Sequence, residues 1–95
     1  MASQLSREEK ELLIASLQDG VLLLQNDGAS DFVSSTGNRK PWHYEDDVGR
    51  TTAYVGALRS LLARGFMRKS GPSGYTLTPL GQQEAMKLQN APPAS

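Results

Sequence analysis

Residues 51–81 read TTAYVGALRSLLARGFMRKSGPSGYTLTPLG and decide the fold that the sequence predicts. The first half predicts an α-helix, because large apolar residues recur at helical spacing and form one face that must be buried. These residues are Tyr54, Val55, Leu58, Leu61 and Leu62. Thr51 is the expected N-cap, and Gly65 is the expected C′ residue, because glycine readily adopts the left-handed conformation that ends a helix. Phe66 would then pack back on Leu61.

The second half of this stretch predicts a β-hairpin followed by another helix. Strands are expected at residues 66–69 and 75–77, and the turn-forming residues 70–74, SGPSG, would connect them. Thr78 would cap the next helix, with Pro79 at its first position, where the missing N–H of proline is not needed. That helix is expected to end near residue 89.

This order of elements resembles the second half of a winged helix-turn-helix domain. Residues 57–81 carry the resemblance, and they look like the same run in MarR-type and PadR-type bacterial regulators. The run has a recognition helix, a glycine turn, a basic strand, a glycine-rich wing tip and a closing segment, YTLTPLG. The resemblance implies an α+β, mainly helical fold, with a small antiparallel β wing and a C-terminal helix.

The resemblance also implies a transcriptional regulator that binds double-stranded DNA. The helix at residues 51–64 would enter the major groove, and the wing at residues 68–74 would follow the flanking backbone. The residues expected to contact DNA are Arg50, Thr51, Thr52, Gly56, Arg59, Ser60, Arg68, Lys69, Ser70 and Ser73. In this interpretation the start of the helix, at residues 50–52, would bind a phosphate through free N–H groups.

Arg59 is the main candidate for reading a base. It lies opposite the apolar face and has only small neighbours there, which are Ala53, Gly56, Ser60 and Ala63. A helix in the major groove benefits from small residues around one arginine, because the guanidinium can bind guanine O6 and N7 together. The same face also fits bare solvent or a seam against a partner protein. A winged-helix protein-interaction module without DNA binding is therefore the alternative function.

Composition limits the function classes further. The chain has 95 residues, enough for one domain with a modest core, and it contains no cysteine that could form a disulfide or a thiolate metal site. No stretch is long and apolar enough to span a bilayer, and the N-terminus does not resemble a secretory signal. We therefore expect a cytoplasmic protein without a membrane partner.

The formal net charge of zero hides a gradient along the chain. Residues 1–38 contain two basic and six acidic residues, whereas residues 39–69 contain seven basic and three acidic residues. Attraction to a polyanion depends on the local field rather than on the total charge. The positive segment coincides with the predicted recognition unit, whereas net neutrality and the acidic N-terminal segment favour the protein-interaction alternative.

The N-terminal half is less regular. Ser6 and Glu9 match a capping box at the start of a helix, which is expected to run through residue 25. Alternatively, that helix ends at Asp19-Gly20 and leaves residues 21–25 as a short strand.

The connection to the predicted recognition helix leaves further alternatives. Residues 26–28 predict a turn, and residues 29–36 fit a short helix or a strand. The second helix of the helix-turn-helix is therefore either residues 44–49 or residues 29–36. Residues 1–5 should be flexible, residues 6–89 should form one domain, and residues 90–95 should be a disordered tail.

No motif points to catalysis or to a cofactor. His43 and the acidic residues 45–47 offer metal-ligand atoms, but one histidine and three adjacent carboxylates make a poor closed site. Trp42 and Tyr44 fit burial in the core or stacking on bases. We therefore predict no enzymatic activity, no metal site and no cofactor. A homodimer is a further expectation. The last helix is poorly amphipathic, and a domain this small could complete its core by burying Leu80, Met86 and Leu88 against a second copy.

Overall fold

The computed structural model describes residues 5–28, 30–37 and 40–90. Its elements follow the order α1 (Arg7–Asp19), β1 (Leu22–Asn26), β2 (Asp31–Ser35), α2 (Val48–Ala63), β3 (Met67–Ser70), β4 (Gly74–Leu77) and α3 (Pro79–Asn90). The strands form one antiparallel sheet in the order β2-β1-β4-β3. The mixed α+β class is thus confirmed, with three helices and a four-stranded sheet in the described ranges.

Helix α1 begins as predicted and ends earlier than predicted. The Ser6 Oγ accepts from the N–H of Glu9 at 3.2 Å, and the Ser6 N–H donates to Glu9 Oε1 at 2.8 Å. The expectation that the helix continues through residue 25 is wrong, because Gly20 ends it with a φ of 101°. Leu22–Asn26 instead forms strand β1, which pairs with β2 on one side and with β4 on the other. The alternative of a short strand at residues 21–25 is therefore confirmed, and pairing with the adjacent β2 and the distant β4 decides the conformation of this apolar run.

The described residues between β1 and α2 do not form the expected second helix. Asp31–Ser35 is strand β2, and residues 44–46 lead through a turn into α2, so neither alternative for that helix is correct. The Trp42 N–H donates to the carbonyl of Val33 at 2.9 Å, which places this segment along the outer edge of β2. The strand alternative for residues 29–36 is thus confirmed by β2, and residues 40–47 form an extended segment and a turn before α2.

Helix α2 starts one turn before the predicted position. Its N-cap is Asp47, whose side chain accepts from the N–H of Arg50 at 3.1 Å, so the assignment of Thr51 as N-cap is wrong. At the other end, Gly65 has the predicted positive φ, 81°. The N–H of Phe66 donates to the Leu61 carbonyl at 3.0 Å, and the N–H of Gly65 donates to the Leu62 carbonyl at 3.1 Å. This pair of bonds is the Schellman motif.

The hairpin and α3 follow as predicted. Residues 71–73 form the turn between β3 and β4. Thr78 Oγ1 accepts from the N–H of Gly81 at 3.1 Å and donates to the Gly65 carbonyl at 2.6 Å. Thr78 therefore caps α3 and also ties its start to the end of α2.

The core lies between α1, α2 and the inner face of the sheet. Its most completely buried large side chains are Leu12, Leu13, Leu22, Val33, Leu58 and Leu61. The predicted burial of Leu58, Leu61 and Phe66 is confirmed, whereas Leu62 is only half-buried. Trp42 is buried as well, which agrees with the core alternative for that residue.

The ends of the chain lie largely outside the described residues. Of the predicted flexible segment 1–5, only Leu5 is described, and it packs against the core. Of the predicted tail 90–95, only Asn90 is described, and it ends α3. In the part of the chain that the structure covers, no helix has the length and hydrophobicity needed to cross a bilayer.

Candidate nucleic-acid interface

Helix α2 divides into a buried face and an exposed face. Tyr54, Leu58 and Leu61 lie on the buried face, which contacts α1 and β2. We call the exposed residues Thr52, Gly56, Arg59 and Ala63 the outer face. Because three of these four residues are small, another macromolecule can approach the helix backbone closely.

The charge of this region is strongly one-sided. Residues 48–83 contain five basic residues and no acidic residue, although the whole chain is neutral. The five are Arg50, Arg59, Arg64, Arg68 and Lys69. Helix α2 and the β3–β4 hairpin thus carry an excess of positive charge, and we call them the cationic unit; such a local excess attracts polyanions even though the net charge of the chain is zero.

Arg59 supplies the positive charge of the outer face. Its side chain is 67% exposed, and its Nη2 lies 3.9 Å from Oδ2 of Asp31, at the start of β2. Asp31 Oδ1 accepts a hydrogen bond from Asn26 Nδ2 at 2.8 Å. No local sequence signal connects Asp31 with Arg59, because β2 and α2 meet only through tertiary packing.

The first turn of α2 differs from the predicted phosphate site. The N–H of Arg50 is occupied by Asp47, whose carboxylate places negative charge at this helix end. The hydroxyl of Thr51 accepts from the N–H of Tyr44 at 2.7 Å and donates to the Tyr44 carbonyl, and Thr51 is 2% exposed. Thr51 is therefore not exposed to contact DNA, and the N–H of Arg50 is not free to bind a phosphate.

The side chain of Arg50 turns towards an aromatic cluster. Its guanidinium lies 4.3 Å from the ring centroid of Tyr44, and the interaction with Tyr44 raises the pKa of Arg50. Tyr54 donates its hydroxyl to Glu11 Oε1 at 2.6 Å. Burial, together with this hydrogen bond and the charge of Glu11, raises the pKa of Tyr54 to about 12. Sequence reasoning missed this cluster, which anchors the start of α2 to α1.

Ser60 faces α1 rather than the outer face. It is half-buried, and its hydroxyl helps to lower the pKa of Glu9, whose carboxylate lies 3.5 Å from Nε of Arg64. Burial alone would raise the pKa of Glu9, but the hydrogen bonds from Ser6 and Ser60 and the charge of Arg64 outweigh it and lower the pKa. Ser60 thus joins α2 to α1 and does not extend the exposed surface.

The hairpin presents the remaining predicted contacts. Arg68, Lys69, Ser70 and Ser73 are all exposed. Strand β3 is the last strand of the sheet, and neighbouring residues of a strand point to opposite faces, so Arg68 and Lys69 place positive charge on both faces of the hairpin. These four residues lie where the sequence predicts them.

Acidic residues border the cationic unit. Glu45, Asp46 and Asp47 are exposed immediately before α2. They do not form a metal site with His43, because His43 Nε2 contacts Asp27 Oδ2 at 2.6 Å instead. Within the described residues, no group of three metal-ligating side chains comes together.

The fold and this surface define a small α+β domain with an exposed, cationic helix face next to a basic hairpin. Comparisons with protein-family models, with curated proteins and with solved structures found no match to this chain. Its function must therefore be inferred from the geometry and charge of the surface.

Proposed function

We propose that this chain is a winged-helix DNA-binding domain that acts as a small transcriptional regulator. The outer face of α2 enters the major groove of double-stranded DNA, and the β3–β4 hairpin follows the flanking backbone. One observation carries the proposal: the exposed small-residue face with Arg59 continues directly into a hairpin with two exposed cations, in a segment without acidic residues.

The connectivity of the sheet supports the winged-helix interpretation. Helix α2 leads directly into the β3–β4 hairpin, and β4 pairs with β1, the strand that follows the first helix. In a helix-turn-helix, a second helix precedes the recognition helix. At that point of this chain stand strand β2 and the segment at residues 40–47. In this proposal, α2 docks without that helix.

The proposed contacts differ in kind. Arg59 reads a base edge, because a guanidinium can form two parallel hydrogen bonds with guanine, whereas Thr52 and Gly56 permit close approach. Arg68, Lys69, Ser70 and Ser73 contact phosphates, which position the domain without carrying sequence information.

The test is a titration of the protein with a random-sequence duplex and with genomic fragments selected for binding. Each titration is carried out at two salt concentrations, because phosphate contacts make the affinity fall as salt rises. We expect binding to both DNAs, tighter for the selected fragments. Undetectable binding to either DNA at the lower salt concentration, where the phosphate contribution is strongest, would overturn the proposal.

A protein-interaction module is the second candidate function. The acidic residues 45–47 and Asp31 beside Arg59 favour it, because these carboxylates repel DNA phosphates but can pair with basic residues of a protein partner. If the wild-type protein binds no DNA, the substitution Gly56→Leu tests the protein-interaction function. If the chain is a protein-interaction module, the added leucine side chain should sterically prevent partner binding, while the DNA affinity of the wild type and of the variant should both be negligible.

A further inference from the structure

We infer that Asp31 positions Arg59 and thereby sets the sequence discrimination of the proposed interface. The inference rests on the proposed DNA-binding function. It assigns a specificity role to a residue of β2, an element outside both α2 and the hairpin.

Asp31 is itself held in place by the β1–β2 hairpin. It pairs with Asn26 in the strand ladder, and Asn26 Nδ2 donates to Asp31 Oδ1 at 2.8 Å. The amide of Asn26 is fixed in turn, because its Oδ1 accepts from the N–H of Gly28 at 2.7 Å. One carboxylate oxygen of Asp31 thus belongs to the sheet, and the other is directed towards α2.

The contact with Arg59 orients the guanidinium without consuming its donors. Nη2 and Oδ2 are 3.9 Å apart, which is an ion pair but too long for a hydrogen bond. The Arg59 side chain remains 67% exposed, so its hydrogen-bond donors are accessible to a base edge. A contact residue that is held near its bound orientation binds with less loss of conformational freedom.

The charge of Asp31 has a second effect with the opposite sign. A carboxylate beside the interface repels the phosphates of every DNA sequence equally. Asp31 therefore lowers affinity for DNA in general and raises the preference for a site that Arg59 reads. If Asp31 only stabilised the fold, its substitution would change the affinities for both DNAs by the same factor, and the ratio between them would stay the same.

The test uses Asp31→Asn, because an asparagine keeps the size of the side chain and an oxygen that can accept from Asn26. Asp46→Asn is the matched control: it removes the same charge from the exposed turn before α2, where the structure shows no contact with Arg59. Affinities for a selected fragment and for a random duplex are measured with both variants. We expect Asp31→Asn to strengthen binding to the random duplex and to lower the ratio of selected to random affinity about threefold to fivefold. Asp46→Asn should leave that ratio unchanged.

A double-mutant cycle shows whether Asp31 acts through Arg59. In the Arg59→Ala background, Asp31→Asn should no longer change the ratio of affinities. If Asp31→Asn leaves the ratio of the otherwise wild-type protein intact while Arg59→Ala lowers it, the inference is overturned and the proposed function stands. If the wild-type protein binds neither DNA, the proposed function fails, and the inference fails with it.

Discussion

Glu9 links the first helix to the end of the second. Its carboxylate accepts from the N–H of Ser6, and it lies 3.5 Å from Nε of Arg64 at the C-cap of α2. Glu9 is 4% exposed, so its charge is stabilised by these partners rather than by water. One side chain therefore both caps α1 and fixes the packing of α1 against α2.

This arrangement predicts a specific pH dependence of stability. The pKa of Glu9 is lowered in the folded protein from its ordinary value of 4.5. A carboxyl group with a depressed folded pKa stabilises the fold above its unfolded pKa, and that contribution is lost as the pH falls through the folded value. Glu9→Gln should reduce thermal stability at pH 7 and flatten the loss of stability below about pH 4.5.

Melting curves between neutral and acidic pH measure this effect. Glu45→Gln is the control, because Glu45 is exposed in the turn before α2. An unchanged acid dependence in Glu9→Gln would show that this carboxylate is not stabilised in the fold as described.

Two glycines should respond in opposite directions to substitution by alanine. A Cβ at Gly81 would overlap the carbonyl oxygen of Phe66, whereas a Cβ at Gly56 would meet no atom within 4 Å. Gly81→Ala should therefore cost on the order of 1–3 kcal/mol through overpacking. Gly56→Ala should gain about 0.5–1 kcal/mol, because alanine loses less conformational freedom in a helix interior. Urea unfolding of both variants tests this pair, and equal stability would contradict the close packing of α3 on the end of α2.

The ends of helices and strands could be predicted from the sequence where they depend on hydrogen bonds between residues close in the chain. The end of α2 could be predicted because the bonds of Gly65 and Phe66 connect to residues of the same helix. The start of α2 was misplaced because Asp47 and Thr51 are both acceptable N-caps, and only the tertiary contact of Thr51 with Tyr44 decides between them. Strand β1 could be predicted only as an alternative to a longer α1, because its pairing with β2 and β4, and not its own apolar pattern, decides between the two.

Two neighbouring leucines of α2 differ in burial and should therefore differ in their contribution to stability. Leu61 is fully buried, whereas Leu62 is only half-buried. Leu61→Ala should cost on the order of 2–5 kcal/mol, because it removes buried methyl groups and leaves a cavity. Leu62→Ala should cost less, since part of its side chain already contacts water. Denaturant unfolding gives both free energies, and a larger loss for Leu62→Ala would show that the helix faces are assigned incorrectly.

For the molecule as a whole, the candidate interface was only partly predictable. Arg59, Arg68 and Lys69 could be selected because helix periodicity and turn residues show which positions are exposed. Asp31 could not be connected with Arg59, because their proximity depends on β2 packing beside α2. Tertiary packing thus determined which residues surround the predicted cations.

Association of two copies is a prediction at this same scale. On α3, Leu80 is 50% exposed and Met86 is 51% exposed. Burial of these side chains in a homodimer would add hydrophobic stabilisation, and two-fold symmetry would match paired half-sites on DNA. Sedimentation should show a dimer that Met86→Lys weakens, whereas Lys87→Glu on the same helix serves as a control for changed charge. A monomer at high micromolar concentration would exclude this association.

The proposed interface predicts different effects for its two kinds of cation. Arg59→Ala should cost about 1–3 kcal/mol at a selected site and change binding to random DNA little, because a base contact carries sequence information. Lys69→Ala should instead weaken binding to all sequences and reduce the salt dependence by roughly one ion, because a phosphate contact releases one counterion. Titrations of both variants with both DNAs at several salt concentrations measure these differences. Equal losses on the two DNAs for Arg59→Ala would place Arg59 on the backbone, and the outer face of α2 would then not be the surface that reads the sequence.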